Sequence, residues 1–266
     1  AYTSIAPDGS QLDISDIAIE GYGLKLNPSP LSDVIYVNAE EGDWPIIYWS
    51  PGDDYIYGPS TGAAFNSKNY NDFLYEYGSD DGLAFNFKEG VLTVNSDYGI
   101  ITAENISNIY GTRGDDIMLG DNNYQNFRGD GGNDTYTGGA GEDHFRLESR
   151  YEWNQETMSS IMVDSFVRIT DFEEVDKISI EDYGFSNIRS LVANQFDVTQ
   201  DQENNSTYIS INTDEYTIEN MFEIDGIFYL DTFNTEIESS NGDINLKIKL
   251  SEENNTVDYN YIEGTD

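Results

Sequence analysis

GTRGDDIML, GDNNYQNFR, GDGGNDTYT and GGAGEDHFR, read from Gly111 to Arg146, are four consecutive nine-residue units in one register. Each unit follows the template G-G-x-G-x-D-x-U-x, where U is a large apolar residue. The units share glycine at position one, an acid or amide at position six and a large side chain at position eight: Gly111, Gly120, Gly129 and Gly138; Asp116, Gln125, Asp134 and Asp143; Met118, Phe127, Tyr136 and Phe145. One such unit would be weak evidence, but four in phase establish an internal repeat.

The spacing within a unit has a direct structural interpretation. Six glycine-rich residues form a turn, because positive φ carries little steric penalty for glycine, and three residues form a strand that directs one side chain inward. Two units complete one turn of a flattened parallel coil, so loops eighteen residues apart stack on the same edge. Their carbonyls and carboxylates form the all-oxygen cage that calcium prefers. The predicted metal-binding residues are Asp116, the counter-charges Asp134 and Asp143, and the glycines Gly111, Gly114, Gly129, Gly132, Gly139 and Gly141.

These units resemble the repeats-in-toxin (RTX) family, whose nonapeptides form a calcium-binding parallel β-roll. The resemblance implies that Asp116 pairs with Asp134 across one edge of the roll and that Gln125 pairs with Asp143 across the other. Gln125 departs from the family pattern because an amide has no charge, so the second site should bind more weakly or use a neighbour such as Asp121. The alternative is an acidic turn region without bound ions, which the regular register disfavours.

A fainter repeat precedes the array. Large apolar residues recur every nine positions, at Ile47, Ile56, Phe65, Leu74, Leu83, Leu92 and Ile101. Asp54 and Asp72 lie eighteen residues apart, each two residues before one of these positions, which predicts that they share a further cation. The alternative is that a segment rich in tyrosine and isoleucine produces this spacing by chance.

After the array the pattern changes to the alternation typical of strands. Asp171, Phe172, Asp176, Lys177 and Ile178 resemble the cap that follows the roll in serralysin-type proteases and in the regulatory modules of alginate epimerases. Such a cap would cover the unpaired strand edges of the last coil. We therefore predict an all-β chain with a leader segment (1–30), a degenerate β-roll (31–110), the RTX β-roll (111–147), an antiparallel β cap (148–235) and a C-terminal hairpin with a polar tail (236–266).

The charge of the chain restricts its partners. The 266 residues contain 12 Lys and Arg against 51 Asp and Glu, a net charge of −39 at pH 7. Because the cations are scattered along the sequence, we expect no nucleic-acid partner. An anionic membrane surface is disfavoured for the same reason, and no apolar run is long enough for membrane insertion.

Catalytic motifs are weak. There is no cysteine, so thiolate sites are excluded, and His144 is the single histidine, so an HExxH zinc site is excluded. GPSTG at Gly58–Gly62 matches G-x-S-x-G only formally, without a strand–turn–helix context. We expect no enzyme activity, although paired-carboxylate chemistry on a polysaccharide remains an alternative.

The sequence thus predicts a calcium-binding module of an exported bacterial protein, in which calcium drives folding and supports secretion and attachment outside the cell or at its surface. The alternative is a calcium-dependent carbohydrate-binding module for an extracellular polysaccharide. Trp and Tyr side chains would then provide stacking platforms for sugar rings, although in β proteins such residues more often lie in the core. The candidates are Trp44, Trp49, Trp153, Tyr48, Tyr55 and Tyr57.

Overall fold

The computed structural model describes most of the repeat array and its surroundings. The described residues are 2–4, 12–13, 25–27, 32, 34–37, 46–48, 52–58, 63–66, 82–96, 99–129, 131–148, 150–154, 159–163, 165–181, 196–212, 217–230, 236–240 and 243–253. Every regular element in these ranges is a β-strand, and none is a helix. Accordingly, the described part of the chain contains no helix with the length and apolar character of a membrane span.

The strands are short and numerous. In chain order they are β1 (Tyr2–Ser4), β2 (Leu12–Asp13), β3 (Lys25–Asn27), β4 (Val34–Tyr36), β5 (Ile46–Tyr48), β6 (Asp54–Tyr57), β7 (Ala63–Asn66), β8 (Ala84–Lys88), β9 (Val91–Ser96), β10 (Gly99–Glu104), β11 (Ile106–Tyr110), β12 (Ile117–Leu119), β13 (Asn126–Arg128), β14 (Gly132–Thr137), β15 (His144–Glu148), β16 (Arg150–Asn154), β17 (Ser159–Val163), β18 (Ser165–Ile169), β19 (Lys177–Glu181), β20 (Phe196–Asp201), β21 (Ser206–Asn212), β22 (Thr217–Asp225), β23 (Tyr229–Leu230), β24 (Glu236–Ser240), β25 (Asp243–Ile248) and β26 (Leu250–Ser251).

Outside the antiparallel meander and hairpins, successive strands alternate between two large sheets. One sheet has ten described strands in the order β1-β3-β5-β7-β11-β13-β15-β19-β25-β24, and the other has twelve in the order β2-β4-β6-β10-β9-β8-β12-β14-β18-β22-β21-β20. Within the array the neighbouring strands are parallel and eighteen residues apart, as in the pairing of Asn108 with Asn126 and of Asn126 with His144. Two nine-residue units therefore complete one coil, as the sequence predicts.

The core lies between the two sheets and is filled by the large side chain at position eight of each unit. Met118, Phe127, Tyr136 and Phe145 are all fully buried. The Phe127 and Tyr136 rings come from opposite sheets, and their centroids are 5.8 Å apart. Contacts of this kind extend the aromatic column to Phe172 beyond the array. Because each short strand offers a single inward position, burial of these large side chains is the main apolar contribution to stability.

A three-stranded antiparallel meander interrupts the coil before the array. β8, β9 and β10 pair with one another in the twelve-stranded sheet, whereas β7 and β11 are direct neighbours in the other sheet. Glu89 and Gly90 form the first turn with φ of 54° and 82°, the positive values that a two-residue hairpin turn requires. The nine-residue spacing of Leu83, Leu92 and Ile101 thus arises in this meander, where all three side chains are buried.

Beyond the array the coil continues and is then closed by antiparallel strands. The hairpin β16–β17 is inserted after β15, and β18 and β19 pair in parallel with β14 and β15. β20 and β21 then extend one sheet beyond β22, and β24 and β25 extend the other, in each case by antiparallel pairing. The predicted fold class, an all-β parallel roll with antiparallel strands toward the C-terminus, is confirmed.

Candidate metal centre

The position-six carboxylates form a ladder at one edge of the roll. Leu83 N–H donates to Asp116 Oδ1 at 2.7 Å, and Asp116 N–H donates to Asp134 Oδ1 at 3.0 Å. Thr112 N–H donates to Asp116 Oδ2 at 2.6 Å, and the Tyr136 hydroxyl donates to Asp134 Oδ2 at 3.1 Å. Each carboxylate therefore joins its own coil to the preceding one, and the structure brings Asp116 and Asp134 together.

A second ladder runs along the other edge. Gln125 N–H donates to Asp143 Oδ1 at 2.8 Å, and Asp143 N–H donates to Asp176 Oδ1 at 2.9 Å. Gln125 also donates from Nε2 to Asp121 Oδ1 at 2.8 Å. The predicted neighbour Asp121 thus places a carboxylate at the position where Gln125 lacks one, and Asp176 extends the ladder beyond the array.

The glycines at position one make room for these carboxylates. A Cβ atom on Gly129 would lie 1.9 Å from Asp134 Oδ2, and one on Gly138 would lie 2.6 Å from Asp143 Oδ2. A Cβ atom on Gly111 would lie 2.3 Å from Asp116 Oδ2. The five-residue spacing between position one and position six therefore follows from direct contact between the glycine Cα and the carboxylate.

Glycines in the following loop positions allow neighbouring loops to stack backbone on backbone. Gly132 has φ of +83°, and a Cβ atom there would lie 2.5 Å from the carbonyl oxygen of Gly114, one coil away. Gly139 has φ of +90°, and a Cβ atom there would also clash with the carbonyl oxygen of Asp121. Gly141, with φ of +132°, lies over Asn123. At these three predicted glycines, the backbone therefore lies directly against a carbonyl oxygen of the loop one coil earlier.

Burial raises the pKa of the position-six acids. The pKa of Asp116 is raised to about 6 and that of Asp134 to about 8, first by burial; the charge of Asp116 adds to the rise at Asp134. Burial also raises the pKa of Asp143 to about 7, assisted by the charges of Asp176 and Asp171. Hydrogen bonds from the backbone oppose these shifts without cancelling them. The ladders are therefore sites where added positive charge would be strongly favourable.

The residues present fit a hard cation. Asp143 Oδ2 is a buried oxygen with no hydrogen-bond partner among the described residues, and the charges of Asp176, Asp171 and Asp121 act on this carboxylate. Its surroundings offer carboxylate, amide and carbonyl oxygens, the ligand types that calcium uses. The described residues contain no cluster of three or more His, Cys, Asp or Glu side chains suited to a metal. Any site here must therefore combine one or two carboxylates with backbone carbonyls.

The upstream pair is only half described. Asp54 is buried on β6, which lies between β4 and β10 in the twelve-stranded sheet. Its neighbour Asp53 accepts a hydrogen bond from Ile100 N–H at 2.9 Å, across the junction with the meander. Asp72 lies outside the described residues, so the shared site predicted for Asp54 and Asp72 stays a prediction.

Sequence reasoning assigned Asp171 and Asp176 to the cap motif and did not include them among the predicted metal-binding residues. Asp176 accepts the Asp143 N–H, as a position-six acid of the next coil would. It lies 33 residues after Asp143 because the β16–β17 hairpin is inserted between them. Asp171 accepts the N–H groups of Gly138 and Gly139, both at 2.8 Å. The available signal was the motif from Asp171 to Ile178, in which Asp176 lies two residues before an apolar position, as in each nine-residue unit.

Comparisons with known proteins add little to this description. No family model matches the chain, and a search of curated proteins found no match. Among solved structures, the crystal structure of the extracellular lipase LipA from Serratia marcescens is similar over 82% of this chain, at 12% identity and a TM-score of 0.20. The aligned region spans 40% of the length of that lipase. At this TM-score the similarity carries no argument, so the class is stated from the structure: an all-β protein built largely of parallel strands, with antiparallel additions.

Proposed function

We propose that this chain is a calcium-binding β-roll of the RTX type, and that calcium drives its folding. The observation that supports the proposal most directly is the burial of Asp116, Asp134 and Asp143 in two carboxylate ladders. Buried carboxylates with raised pKa oppose folding at neutral pH, and the net charge of −39 adds self-repulsion. A chain built in this way needs a cation to become stable.

The ladder residues have distinct roles in this proposal. Asp134 and Asp143 supply carboxylate oxygens at the two edges, and Asp176 and Asp121 add acids to the edge that contains Gln125. Bound calcium supplies the positive charge that these buried carboxylates lack. The stacked glycine loops supply backbone carbonyls, and the hydrogen bonds between coils hold the carboxylates in register without the ion.

The expected stabilisation is large relative to that of a typical domain. With an affinity of about 10⁻⁴ M and a few millimolar free calcium, each site bound only by the folded state contributes roughly 2 kcal/mol. Three or four such sites would supply a large share of the ~5–15 kcal/mol of an ordinary domain. The chain would stay expanded in a calcium-poor cytosol and fold after export, which suits a secretion and attachment module outside the cell or at its surface.

Circular dichroism with calcium, magnesium or chelator tests this proposal. Calcium should convert the chain from largely unfolded to β-rich, with a much smaller effect of magnesium, whose rigid octahedral geometry fits such loops poorly. In calorimetry, Asp134→Ala should lower the number of bound ions and the midpoint of unfolding more than Gln125→Ala. A spectrum unchanged by chelator, or equal losses in the two variants, would contradict the proposal.

A carbohydrate-binding role is a second candidate, favoured by tyrosines on the outer face of the twelve-stranded sheet. The Tyr36 and Tyr57 rings stack with centroids 4.6 Å apart and planes within 2°, and Tyr55 lies 4.9 Å from Tyr57. Tyr36 is 36% exposed, as a sugar platform requires. Tyr48, by contrast, is buried and cannot be such a platform. Trp153 lies on β16, and Trp44 and Trp49 lie outside the described residues.

The tyrosine platform can be tested by paired substitutions. The double variant Tyr36→Ala/Tyr57→Ala should lose binding to a panel of neutral and acidic oligosaccharides. The matched control Tyr36→Phe/Tyr57→Phe keeps the rings and should retain it. Equal binding by the two variants would remove this candidate function.

A further inference from the structure

The meander and the first strand of the array present an exposed apolar face on the outside of the twelve-stranded sheet. In β8, β9, β10 and β12 the outward residues alternate with buried ones, and we name these outward residues the neutral face. Ile117 is 50% exposed, Ile100 49% and Leu119 37%, whereas Asn108 on the outside of the ten-stranded sheet is only 8% exposed. Exposed apolar residues grouped in this way are typical of a contact surface.

The neutral face differs in charge from the rest of the chain. Among the outward residues of these four described strands, Glu104 is the only acid and Lys88 is the only base. The whole chain contains 51 acids against 12 bases, a net charge of −39. Two copies therefore repel each other in most orientations, but through the neutral face they can approach without placing acid against acid. This face suits a second copy of the chain.

The residues of the neutral face are arranged symmetrically about β9. One row of partners across the strands is, in order, Tyr55, Thr102, Thr93, Asn86 and Leu119. A two-fold axis along β9, in the plane of the face, would place Thr93 opposite the same residue of a second copy. The same rotation would place Tyr55 opposite Leu119, so an aromatic and an aliphatic side chain would meet at each end of the row.

The next row contains the two charges of the face. Glu104 on β10 and Lys88 on β8 are both partners of Val91 on β9. The same two-fold rotation therefore places Lys88 of each copy opposite Glu104 of the other, which gives two ion pairs in one dimer. Within one copy the Tyr55 hydroxyl donates a long hydrogen bond of 3.5 Å to Glu104 Oε1, which holds the carboxylate at the face. The charge pattern is thus complementary to itself.

We infer that the neutral face binds a second copy of this chain in a two-fold symmetric dimer, with β9 of each copy on the axis. The strands of the two sheets then run in the same direction, the aligned arrangement in which sheets pack face to face about 10 Å apart. The five strands from β6 to β12 in the sheet span about 24 Å, and five residues along a strand span about 17 Å. Such a footprint buries on the order of 1,000 Å² over both copies, so the dimer is weak and forms at micromolar concentrations.

Charge-swap variants of the full chain in millimolar calcium test this symmetry. Sedimentation velocity over a range of micromolar concentrations measures the dimer, and circular dichroism checks that each variant is folded. Lys88→Glu and Glu104→Lys should each weaken the dimer about tenfold or more, because each places like charges opposite one another. The double variant Lys88→Glu/Glu104→Lys should return the affinity to near the wild-type value, since both ion pairs form again with the charges exchanged.

The matched control for Glu104→Lys is Glu203→Lys. Glu203 is exposed in the turn between β20 and β21, and its substitution changes the net charge by the same amount. This variant should dimerise at least as well as the wild type. A wild type that is monomeric at every concentration, or a double variant that does not recover, would overturn the inference. A dimer that all the charge variants leave unchanged would overturn it as well, because the contact would then lie elsewhere.

A single thiol on the axis gives an independent measurement. The chain has no cysteine, so in Thr93→Cys a short bismaleimide can link thiols only between two copies. We expect this variant to give cross-linked dimer in millimolar calcium. Gln202→Cys is the control, because Gln202 is exposed in the turn between β20 and β21 and should give little product. Equal cross-linking of the two variants would show that the thiols meet by random collision and would contradict the proposed axis.

Discussion

Asp134→Asn should have opposite effects on stability with and without calcium. Asp134 is 2% exposed, its Oδ1 accepts the Asp116 N–H, and burial raises its pKa from 3.8 to about 8. Asparagine keeps the shape and the Oδ1 acceptor and removes the negative charge. In chelator the variant should therefore be more stable than the wild type, whereas in calcium it lacks a ligand and should be less stable.

The magnitude follows from proton linkage. The folded state of the wild type binds a proton at Asp134 that the unfolded state has released at pH 7. A raised folded pKa for an acid means that stability falls as pH rises from the unfolded value toward the folded one. At pH 7, about three units above 3.8, this term amounts to about 4 kcal/mol. Asp134→Asn removes the term, so the gain in chelator should be of that order.

Urea unfolding at pH 7 in millimolar calcium measures the loss, and the folded fraction seen by circular dichroism at pH 7 in chelator measures the gain, because the wild type is expected to be largely unfolded there. Asp115→Asn is the matched control, because Asp115 is exposed, carries the same charge and accepts the Asn133 N–H at 2.7 Å through an oxygen that asparagine retains. Both variants change the net charge by one, so general repulsion cancels in the comparison. The charge of Asp115 also raises the pKa of Asp116 and Asp134, so the control carries part of the local repulsion as well. If Asp134→Asn is no more stable than Asp115→Asn in chelator, the argument from burial is refuted.

Other predictions follow from the same ladders. In chelator, any folded population should be more stable at pH 5 than at pH 8. The pKa values of Asp116, Asp134 and Asp143 are raised, so the folded state binds more protons than the unfolded state across that range of pH. A flat profile of urea midpoints against pH would contradict this expectation. Gly129→Ala should cost about 2 kcal/mol in calcium, measured by thermal unfolding, because its Cβ would meet Asp134 Oδ2; an unchanged midpoint would show that the carboxylate moves freely. Tyr136→Phe should cost about 1–3 kcal/mol at pH 8, since it removes the hydroxyl bound to Asp134 Oδ2, and the cost should shrink at pH 5.

The nine-residue register allowed the central coil and the burial of its ring positions to be predicted from sequence. Glycine, the position-six acid and the position-eight ring each have one physical role, and all three recur in phase. The stacking of loops eighteen residues apart follows from that register, and the resemblance to the RTX family implied Asp116 and Asp134 as one pair across such loops.

Two insertions explain why some partners of the position-six acids could not be predicted from the sequence. The meander and the β16–β17 hairpin each lengthen one coil, so Leu83 meets Asp116, and Asp143 meets Asp176, at a separation of 33 residues. A fixed period cannot find such partners.

The meander also has a geometric consequence for the axis of the roll. A regular coil would place one strand between β6 and β12, but three lie there, while β7 and β11 remain adjacent on the opposite side. The two extra strands lengthen the twelve-stranded sheet by roughly 10 Å at this point. Along the axis of the roll, three strands rather than one therefore separate β6, which contains Asp54, from β12, which follows Asp116.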